Sequence, residues 1–346
     1  MSRHGGQYSR PSKGFRRASR YERNSYTDPS FPTLAVDLPE GIDALSRHQI
    51  IEFFALHSPV TKDTCHKTAE TITGGQVSPT PVQGQTSYTV AADVVPGIVV
   101  QFRQSALDLE LINLARQTYG RFVPGCEQRG VLDHLYVYKM GLVSGVALSR
   151  FQHRLLAPQM RQQLLQTVED LARFFASAWI NKPLLRHKPQ DTQELFDHYE
   201  SILNRLSQSL PERFQQKLCE VRQSLPLLFR PDYVMTVNHD DLLEMNIHVD
   251  EKTGRITGIV DWADAKIAPF GTSLWGLETV LGIQTSSSWL FHPDHVYFRS
   301  SFGRRFTASP GIFPILIGWR SKSGGYLDYF VSTASIVPPR ERELSL

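Results

Sequence analysis

The chain has 346 residues, of which 41% are hydrophobic, and a formal net charge of +3. This length and apolar content allow a sizeable core, in two domains or in one two-lobed unit. The small positive excess is concentrated near the start of the chain, so the sequence predicts no basic face for nucleic acid and no nucleic-acid partner.

The cysteines and the apolar runs indicate the cellular compartment in which the protein is expected. Cys65, Cys126 and Cys219 are far apart and odd in number, which argues against a disulfide framework and a zinc site. No run of about 18 apolar residues is present, so no membrane span is predicted. The first residues lack the apolar core of a secretory signal. We therefore expect a cytoplasmic protein without a membrane partner or an obligate protein partner.

Residues 1–35 carry basic side chains among Ser, Gly and Tyr, with few aliphatic residues. Such a segment cannot bury enough apolar surface to order itself, so it is predicted to be a disordered basic arm. A mitochondrial presequence is the alternative interpretation, but the arm lacks the amphipathic apolar stripe of that class.

Residues 36–140 alternate between helical and strand patterns and form a predicted N-terminal lobe. Apolar spacing, β-branched runs and Gly or Pro breakers define its elements. They are a helix over 43–57, a loop over 74–85, strands over 87–91 and 97–103, a helix over 107–119, and a strand over 135–140. The lobes are expected to meet at residues 139–142.

Residues 141–300 are mainly helical in pattern. One long helix has a continuous apolar stripe at Met160, Leu164, Val168, Leu171, Phe175 and Trp179. A second helix begins with a capping-box-like segment at 191–194, a third follows Pro211, and a short buried helix is predicted within 274–281. Residues 301–346 lose this periodicity and are predicted to be an irregular tail.

The functional prediction depends on the stretch 237–270. Two short β-branched runs, 247–249 and 256–260, flank an acidic segment with a glycine, so a hairpin is predicted. Antiparallel pairing returns the chain to its start, which should bring Asn246 and Asp261 side by side. An amide oxygen and a carboxylate are suitable ligands for a hard cation such as Mg²⁺.

Asp241 lies just before this hairpin, in the pattern His239-x-Asp241-Leu242-x-x-x-Asn246. The pattern is the catalytic-loop signature of the protein-kinase fold, in which Asp orients the attacking hydroxyl and Asn holds a metal ion. Taken singly, Asp241 could be a loop or cap residue, Asn246 a turn residue and Asp261 a strand end. The ordered trio with a hairpin between its members favours catalysis.

Asp261 takes the place of the metal-binding Asp of the kinase Asp-Phe-Gly motif, which here reads Asp-Trp-Ala-Asp. This motif, with the blocks 238–249 and 269–278, resembles the aminoglycoside phosphotransferase and choline-kinase-like superfamily, in the branch found in filamentous fungi. The resemblance implies an α+β, protein-kinase-like two-lobed fold. A small β-rich nucleotide-binding lobe would occupy 36–140, and a larger, mainly helical catalytic lobe 141–300.

The resemblance also implies ATP and Mg²⁺ as cofactors and a hydroxyl of a small molecule as the phosphate acceptor. Asp241 would be the catalytic residue, and Asn246 and Asp261 would hold the metal ion. His239 would brace the loop, and Asp264 would bind a second metal ion or hydrogen-bond the loop.

Four residues of the N-terminal lobe are implied to bind the nucleotide: Arg103, Glu110, Ser87 and Gly84. Arg103 stands where the superfamily has lysine, and its planar guanidinium can hold phosphate oxygens. Gly84 and Ser87 bound a candidate covering loop whose small residues let backbone amides approach phosphate, although an ordinary hairpin turn fits equally. Glu110 would pair with Arg103 or stand as a solvated surface residue.

Two alternatives stay open. Arg103 and the incomplete glycine loop favour a non-catalytic kinase-fold module that binds nucleotide or acts as a scaffold, whereas the intact Asp241, Asn246 and Asp261 favour an enzyme. Among enzymes, a choline- or homoserine-type metabolite kinase stands beside a drug-modifying one. Asp240, at a position where protein kinases carry arginine, argues against a protein kinase.

Overall fold

The computed structural model describes residues 38–94, 97–181, 192–285 and 288–309. Within these ranges the predicted α+β architecture is confirmed, with a five-stranded antiparallel sheet in the N-terminal part and mainly helices with three small sheets in the remainder. The predicted basic arm and most of the predicted tail lie outside the described residues. No described helix is long and apolar enough to cross a membrane.

The helix ends follow local signals in the sequence. Thr61 and Thr64 form a capping box at the start of the second helix, and Gly74 ends it in the left-handed conformation. Asp108 caps the third helix by accepting a hydrogen bond from the Leu111 N–H at 2.9 Å. The helices are α1 (Leu38–Leu56), α2 (Lys62–Thr73), α3 (Leu109–Tyr119), α4 (Leu148–Leu155), α5 (Arg161–Ile180), α6 (Thr192–Ser209), α7 (Gln215–Leu228), α8 (Gly276–Leu281) and α9 (His295–Thr307).

The strands form four antiparallel sheets among the described residues. The large sheet has the order β1-β2-β3-β5-β4, and the small ones are β6-β8-β9, β10-β7 and β11-β12. The strands are β1 (Val77–Pro79), β2 (Ser87–Ala92), β3 (Ile98–Arg103), β4 (Cys126–Leu132), β5 (Leu135–Gly141), β6 (Val146–Ala147), β7 (Met235–Asn238), β8 (Ile247–Val249), β9 (Ile256–Ile259), β10 (Lys266–Pro269), β11 (Gly282–Gln284) and β12 (Trp289–Phe291).

Alternation along β3 separates a core face of the large sheet from an open face. Val100 and Phe102 point into a buried cluster that α1 and α2 cover with residues such as Phe53 and Cys65. Because successive strand side chains point to opposite faces, Arg103 points away from that cluster. Because Val100 and Phe102 face the core, alternation along the strand directs Arg103 to the open face of the sheet.

The C-terminal part is built on α5, whose predicted apolar stripe is buried from Leu164 onward. Helix α9 packs against it, with the ring centroids of Phe175 and Phe302 6.0 Å apart. The predicted lobe boundary at residue 300 falls inside α9, so the helical structure continues to Thr307.

Several elements were not predicted from the sequence, among them α2, α4, α9, β4 and the strands of the small sheets β10-β7 and β11-β12. Strand β1 lies inside the segment 74–85 that was expected to be a loop. Strand β1 is only three residues long and exists because Val77 pairs with Ala92 across the sheet. A local pattern cannot reveal such an edge strand, since its partner is distant in sequence.

Candidate active site

A cavity of about 300 Å³ lies between the open face of the large sheet and the hairpin formed by β8 and β9. Its upper wall carries Arg103, and its lower wall carries Asn246 and Asp261. Met140 and Leu142 line it where the lobes were expected to meet. The cavity therefore brings together side chains from segments far apart in the sequence.

The predicted hairpin is confirmed. Strand β8 pairs with β9, with Ile247 opposite Ile259, and the Val260 N–H donates to the Asn246 carbonyl at 2.9 Å. This last bond places Asn246 beside the residue that precedes Asp261. The polar residues at the start and the end of the hairpin therefore lie at the same end of the small sheet, and both line the cavity.

Helix α5 holds the turn of the hairpin in place. The Thr167 hydroxyl donates to the Gly254 carbonyl at 2.6 Å, and the Ile256 N–H donates to the buried Asp170 carboxylate at 3.1 Å. Gly254 has a φ of +72°, and an added Cβ would lie 2.1 Å from the Gln163 carbonyl oxygen. Only glycine fits there, because both the conformation and the space exclude a side chain.

The loop before the hairpin is tied together by short-range hydrogen bonds. The Asn246 side-chain amide donates to the Asp241 carbonyl oxygen at 2.8 Å and to its carboxylate Oδ2 at 3.1 Å. His239 Nε2 lies 2.8 Å from the Val260 carbonyl, and a carbonyl can only accept, so Nε2 carries the proton. Burial lowers the pKa of His239, which keeps the ring neutral in this bracing role.

Helix α8 supports the same loop from behind. An added Cβ on Gly276 would lie 2.5 Å from Leu242 Cδ2. The Thr279 hydroxyl lies 3.4 Å from the Leu242 carbonyl oxygen. The residue next to Asp241 is thus held by close packing against α8, which restricts how far the loop can move.

Asp241 is a half-buried carboxylate in an environment that favours its protonated form. Burial raises its pKa above the ordinary value of 3.8, and the charges of Asp261 and Asp264 raise it further. His239 and the hydrogen bond from Asn246 act in the opposite direction. A carboxylate with a raised pKa is a better proton acceptor, which suits a general base.

Arg103 is a buried cation that spans the cavity. Its Nη1 lies 3.3 Å from Asp261 Oδ1 and donates to Gln101 Oε1 at 3.3 Å, while Nη2 lies 3.5 Å from the Thr86 hydroxyl. Arg103 is only 7% exposed, and its Nε has no hydrogen-bond partner among the described residues. A buried guanidinium with an unpaired N–H is suited to receive an anion.

The other predicted nucleotide-binding residues differ in whether they line the cavity. Gly84 lines the cavity from the connection between β1 and β2, and Ser87, the first residue of β2, lines it and pairs with Arg103 of β3. Glu110 is exposed in the first turn of α3 and makes no ion pair with Arg103 in the described parts of the chain. Of the two alternatives for Glu110, the structure shows the solvated surface residue, and Arg103 pairs with the carboxylate of Asp261.

The donor set at Asn246 and Asp261 fits one hard cation only in part. The Asn246 nitrogen is used by Asp241, which leaves its amide oxygen for a metal ion, and Asp261 supplies a carboxylate. In the described ranges, no group of three or more His, Cys, Asp or Glu side chains could hold a metal ion. A magnesium ion here would need oxygen ligands from phosphate and water, which is its usual arrangement with nucleotides.

The model of the phosphotransferase enzyme family (APH) matches residues 119–290, which contain Asp241, Asn246 and Asp261. Over these residues the chain is similar to the phosphotransferase enzyme family. The matched segment begins after the sheet strand that carries Arg103, so the predicted nucleotide-binding residues of the N-terminal lobe lie outside the match.

Solved structures of aminoglycoside and macrolide phosphotransferases are similar at low identity. Aminoglycoside-3'-phosphotransferase of type VIII is 17% identical, with 84% of this chain and 100% of that chain covered and a TM-score of 0.45. APH(3'')-Id from Streptomyces rimosus, in complex with ADP and streptomycin, is 15% identical, with 80% and 99% covered and a TM-score of 0.45. Macrolide 2'-phosphotransferase MphH from Brachybacterium faecium is 12% identical, with 81% and 99% covered and a TM-score of 0.45. No curated protein sequence matches the chain.

Three polar residues at or near the cavity were given no role in the site from the sequence. Gln101 lies two residues before Arg103 on the cavity face of β3, where strand alternation could have indicated it. Asp240 forms an ion pair with Lys266 Nζ at 2.9 Å, and its φ of +62° is left-handed. His248 lines the cavity two residues after Asn246, and the same alternation rule could have found it.

Proposed function

We propose that the chain is an ATP-dependent phosphotransferase that transfers a phosphoryl group to a hydroxyl of a small molecule. One observation carries the proposal: a single cavity is lined by the buried guanidinium of Arg103, by Asn246 and by Asp261. A cation for phosphate oxygens opposite ligands for a metal ion is the arrangement that phosphoryl transfer requires.

Asp241 would accept the proton of the acceptor hydroxyl. The Asn246 amide donates to one carboxylate oxygen, which fixes the orientation of the group and leaves the other oxygen for the substrate. Burial of Asp241 keeps its basicity high. The proton would move from the attacking hydroxyl to this carboxylate as the new bond to phosphorus forms.

Arg103 would hold the phosphates of the nucleotide, with Gly84 and Ser87 lining the same end of the cavity. Its unpaired buried Nε supports this role, because a phosphate oxygen would satisfy it. Asn246 and Asp261 would hold Mg²⁺, which neutralises phosphate charge when bound. Glu110, exposed on α3, would contribute only if it moved toward the cavity.

The test is ATP-dependent ADP release with a panel of aminoglycosides, macrolides, amino alcohols and other hydroxylated metabolites. We expect Asp241→Asn and Asp261→Asn each to lower turnover by at least about a hundredfold, since each removes a proton acceptor or a metal carboxylate. Asp93→Asn, at an exposed turn carboxylate that accepts from Ser78 at 3.1 Å, is the matched control and should keep wild-type turnover.

Wild-type turnover in both site variants would contradict the assignment. The second candidate, a nucleotide-binding module without catalysis, is favoured by the contact between Arg103 and Asp261, which occupies the carboxylate that a metal ion needs. Magnesium-dependent ATP binding by the folded protein without turnover of any panel compound would decide for that module.

A further inference from the structure

The cavity changes from charged to apolar along its length. On the upper wall, β3 presents Arg103, then Gln101, then Val99 to the cavity. Val99 lies four residues from Arg103, about 13 Å along a strand, and pairs with Met140 of the neighbouring strand. The part of the upper wall away from the guanidinium therefore carries apolar side chains, Val99 and Met140.

Residues of the lower wall are also ordered along the length of the cavity. His248 lies two residues after Asn246 on β8, so both side chains lie on one side of the strand, about 7 Å apart. Strand β5 ends at Gly141 opposite Ile98, and Val143 follows it. His248 is thus displaced from the metal ligands toward the apolar end.

Small residues flank His248 in the small sheet. Its neighbours across the small sheet are Ala147 on β6 and Gly258 on β9. A Cβ on Gly258 would lie 2.8 Å from Val143 Cγ1, so Val143 covers the space beside the ring. His248 is therefore a polar side chain beside the small residues Ala147 and Gly258, in a wall that Arg150 also lines.

The ring of His248 has no hydrogen-bond partner among the described residues. Its Nδ1 is buried and unpaired. A neutral imidazole ring offers one hydrogen-bond donor and one acceptor. Buried polar atoms are rarely left unpaired, and a ligand that supplied the missing partner would be held there.

We propose that His248 is a specificity residue that contacts the nucleobase and determines which purine the cavity accepts. The proposal rests on the proposed function, since it assumes that the phosphates lie at Arg103. A nucleotide with its phosphates at the charged end would extend its base toward Val99 and His248. Adenine and guanine differ in the donors and acceptors on their edges, so one polar side chain can distinguish them.

The experiment compares the affinities of ADP and GDP for the full chain in the presence of Mg²⁺, by calorimetric titration. We expect the wild-type protein to prefer one of them by about tenfold or more, the scale of one well-placed hydrogen bond. His248→Leu should bring the ratio close to one, and His248→Gln, which keeps a polar group near Nε2, should retain part of the preference.

Arg103→Met is the matched control at the other end of the cavity. It should weaken ADP and GDP by the same factor and leave their ratio unchanged, because both nucleotides share the phosphates. Thermal unfolding of each variant verifies that it is folded. If His248→Leu does not fold, the wild-type ratio and His248→Gln still carry the test.

Equal affinities in the wild-type protein, or a ratio that survives both His248 substitutions, would overturn the role of His248 while leaving the proposed phosphotransferase intact. A folded wild-type protein that binds neither ADP nor GDP would overturn both proposals.

Discussion

The two walls of the cavity are held in different ways. The lower wall is a hairpin whose ends are joined by backbone hydrogen bonds and whose turn is fixed to α5 through Thr167 and Asp170. The upper wall presents Arg103 from a strand, and side chains alone orient its guanidinium: Gln101, Thr86 and Asp261.

This difference separates a rigid half of the site from an adaptable half. Backbone bonds and close packing fix the hairpin that carries Asn246 and Asp261, so a substitution that moves its turn should disturb the fold. The contacts of Arg103 at 3.3–3.5 Å are long for hydrogen bonds, so the guanidinium can exchange Asp261 for phosphate oxygens at little cost. The predictions below test this contrast.

The largest effect is expected for Gly254→Ala in the hairpin turn. A methyl group at a φ of +72° and 2.1 Å from the Gln163 carbonyl oxygen cannot be accommodated without moving the turn. We expect the free energy of unfolding to fall by about 3 kcal/mol or more, measured by urea denaturation.

Gly74→Ala is the control for this prediction. Gly74 has a similar φ of +78°, but nothing lies within 4 Å of its added Cβ, so it tests backbone strain without a clash. Its cost should be about 1 kcal/mol. Equal losses in the two variants would show that the packing of the turn against α5 does not hold the hairpin.

A smaller effect, of opposite sign, is expected for Asp241→Asn. Because the folded-state pKa of Asp241 is raised, the stability that this group contributes is present below its ordinary pKa of 3.8 and is lost as the pH rises through the folded-state value. Asparagine cannot ionise and still accepts the hydrogen bond from Asn246. We expect a higher Tm than wild type at pH 7, with the difference shrinking as the pH is lowered toward 4.

Thermal unfolding of both proteins across this pH range is the measurement. Asp93→Asn, which changes an exposed carboxylate, should show no comparable gain at pH 7. A Tm of Asp241→Asn below that of wild type at pH 7 would mean that the carboxylate stabilises the loop, contrary to its raised pKa.

The smallest effect is expected for Gly84→Ala in the upper wall. Gly84 is exposed, and its added Cβ would meet only the Ser87 hydroxyl, at 3.3 Å. The free energy of unfolding should change by no more than about 0.5 kcal/mol. ADP titration distinguishes the two interpretations of this loop: weaker binding at unchanged stability supports a nucleotide-covering role, and unchanged binding supports an ordinary hairpin turn.

Contacts between residues that are close in the sequence could be predicted, and contacts between distant residues could not. Asp241, Asn246 and Asp261 lie within one hairpin and the loop before it, so their spacing and the strand pattern were enough to bring them to one end of a small sheet. The long helices were also predicted, because a repeat of apolar residues is a local property.

Other features were beyond such rules. Glu110, seven positions away, was one candidate partner for Arg103, but the partner is Asp261, 158 positions away. Both are carboxylates, and the sequence does not indicate which of them packs beside Arg103. Strand β1 depends in the same way on a distant strand.

The sequence by itself therefore determined most helices and strands, the hairpin and the order of the polar residues along it. Turns, caps and strand alternation depend on residues that are close together in the chain. The packing of distant segments specified which carboxylate Arg103 meets, which faces enclose the cavity, and that His248 lies at its apolar end. These contacts form only when the sheet and the hairpin are brought together, and no short-range pattern encodes that docking.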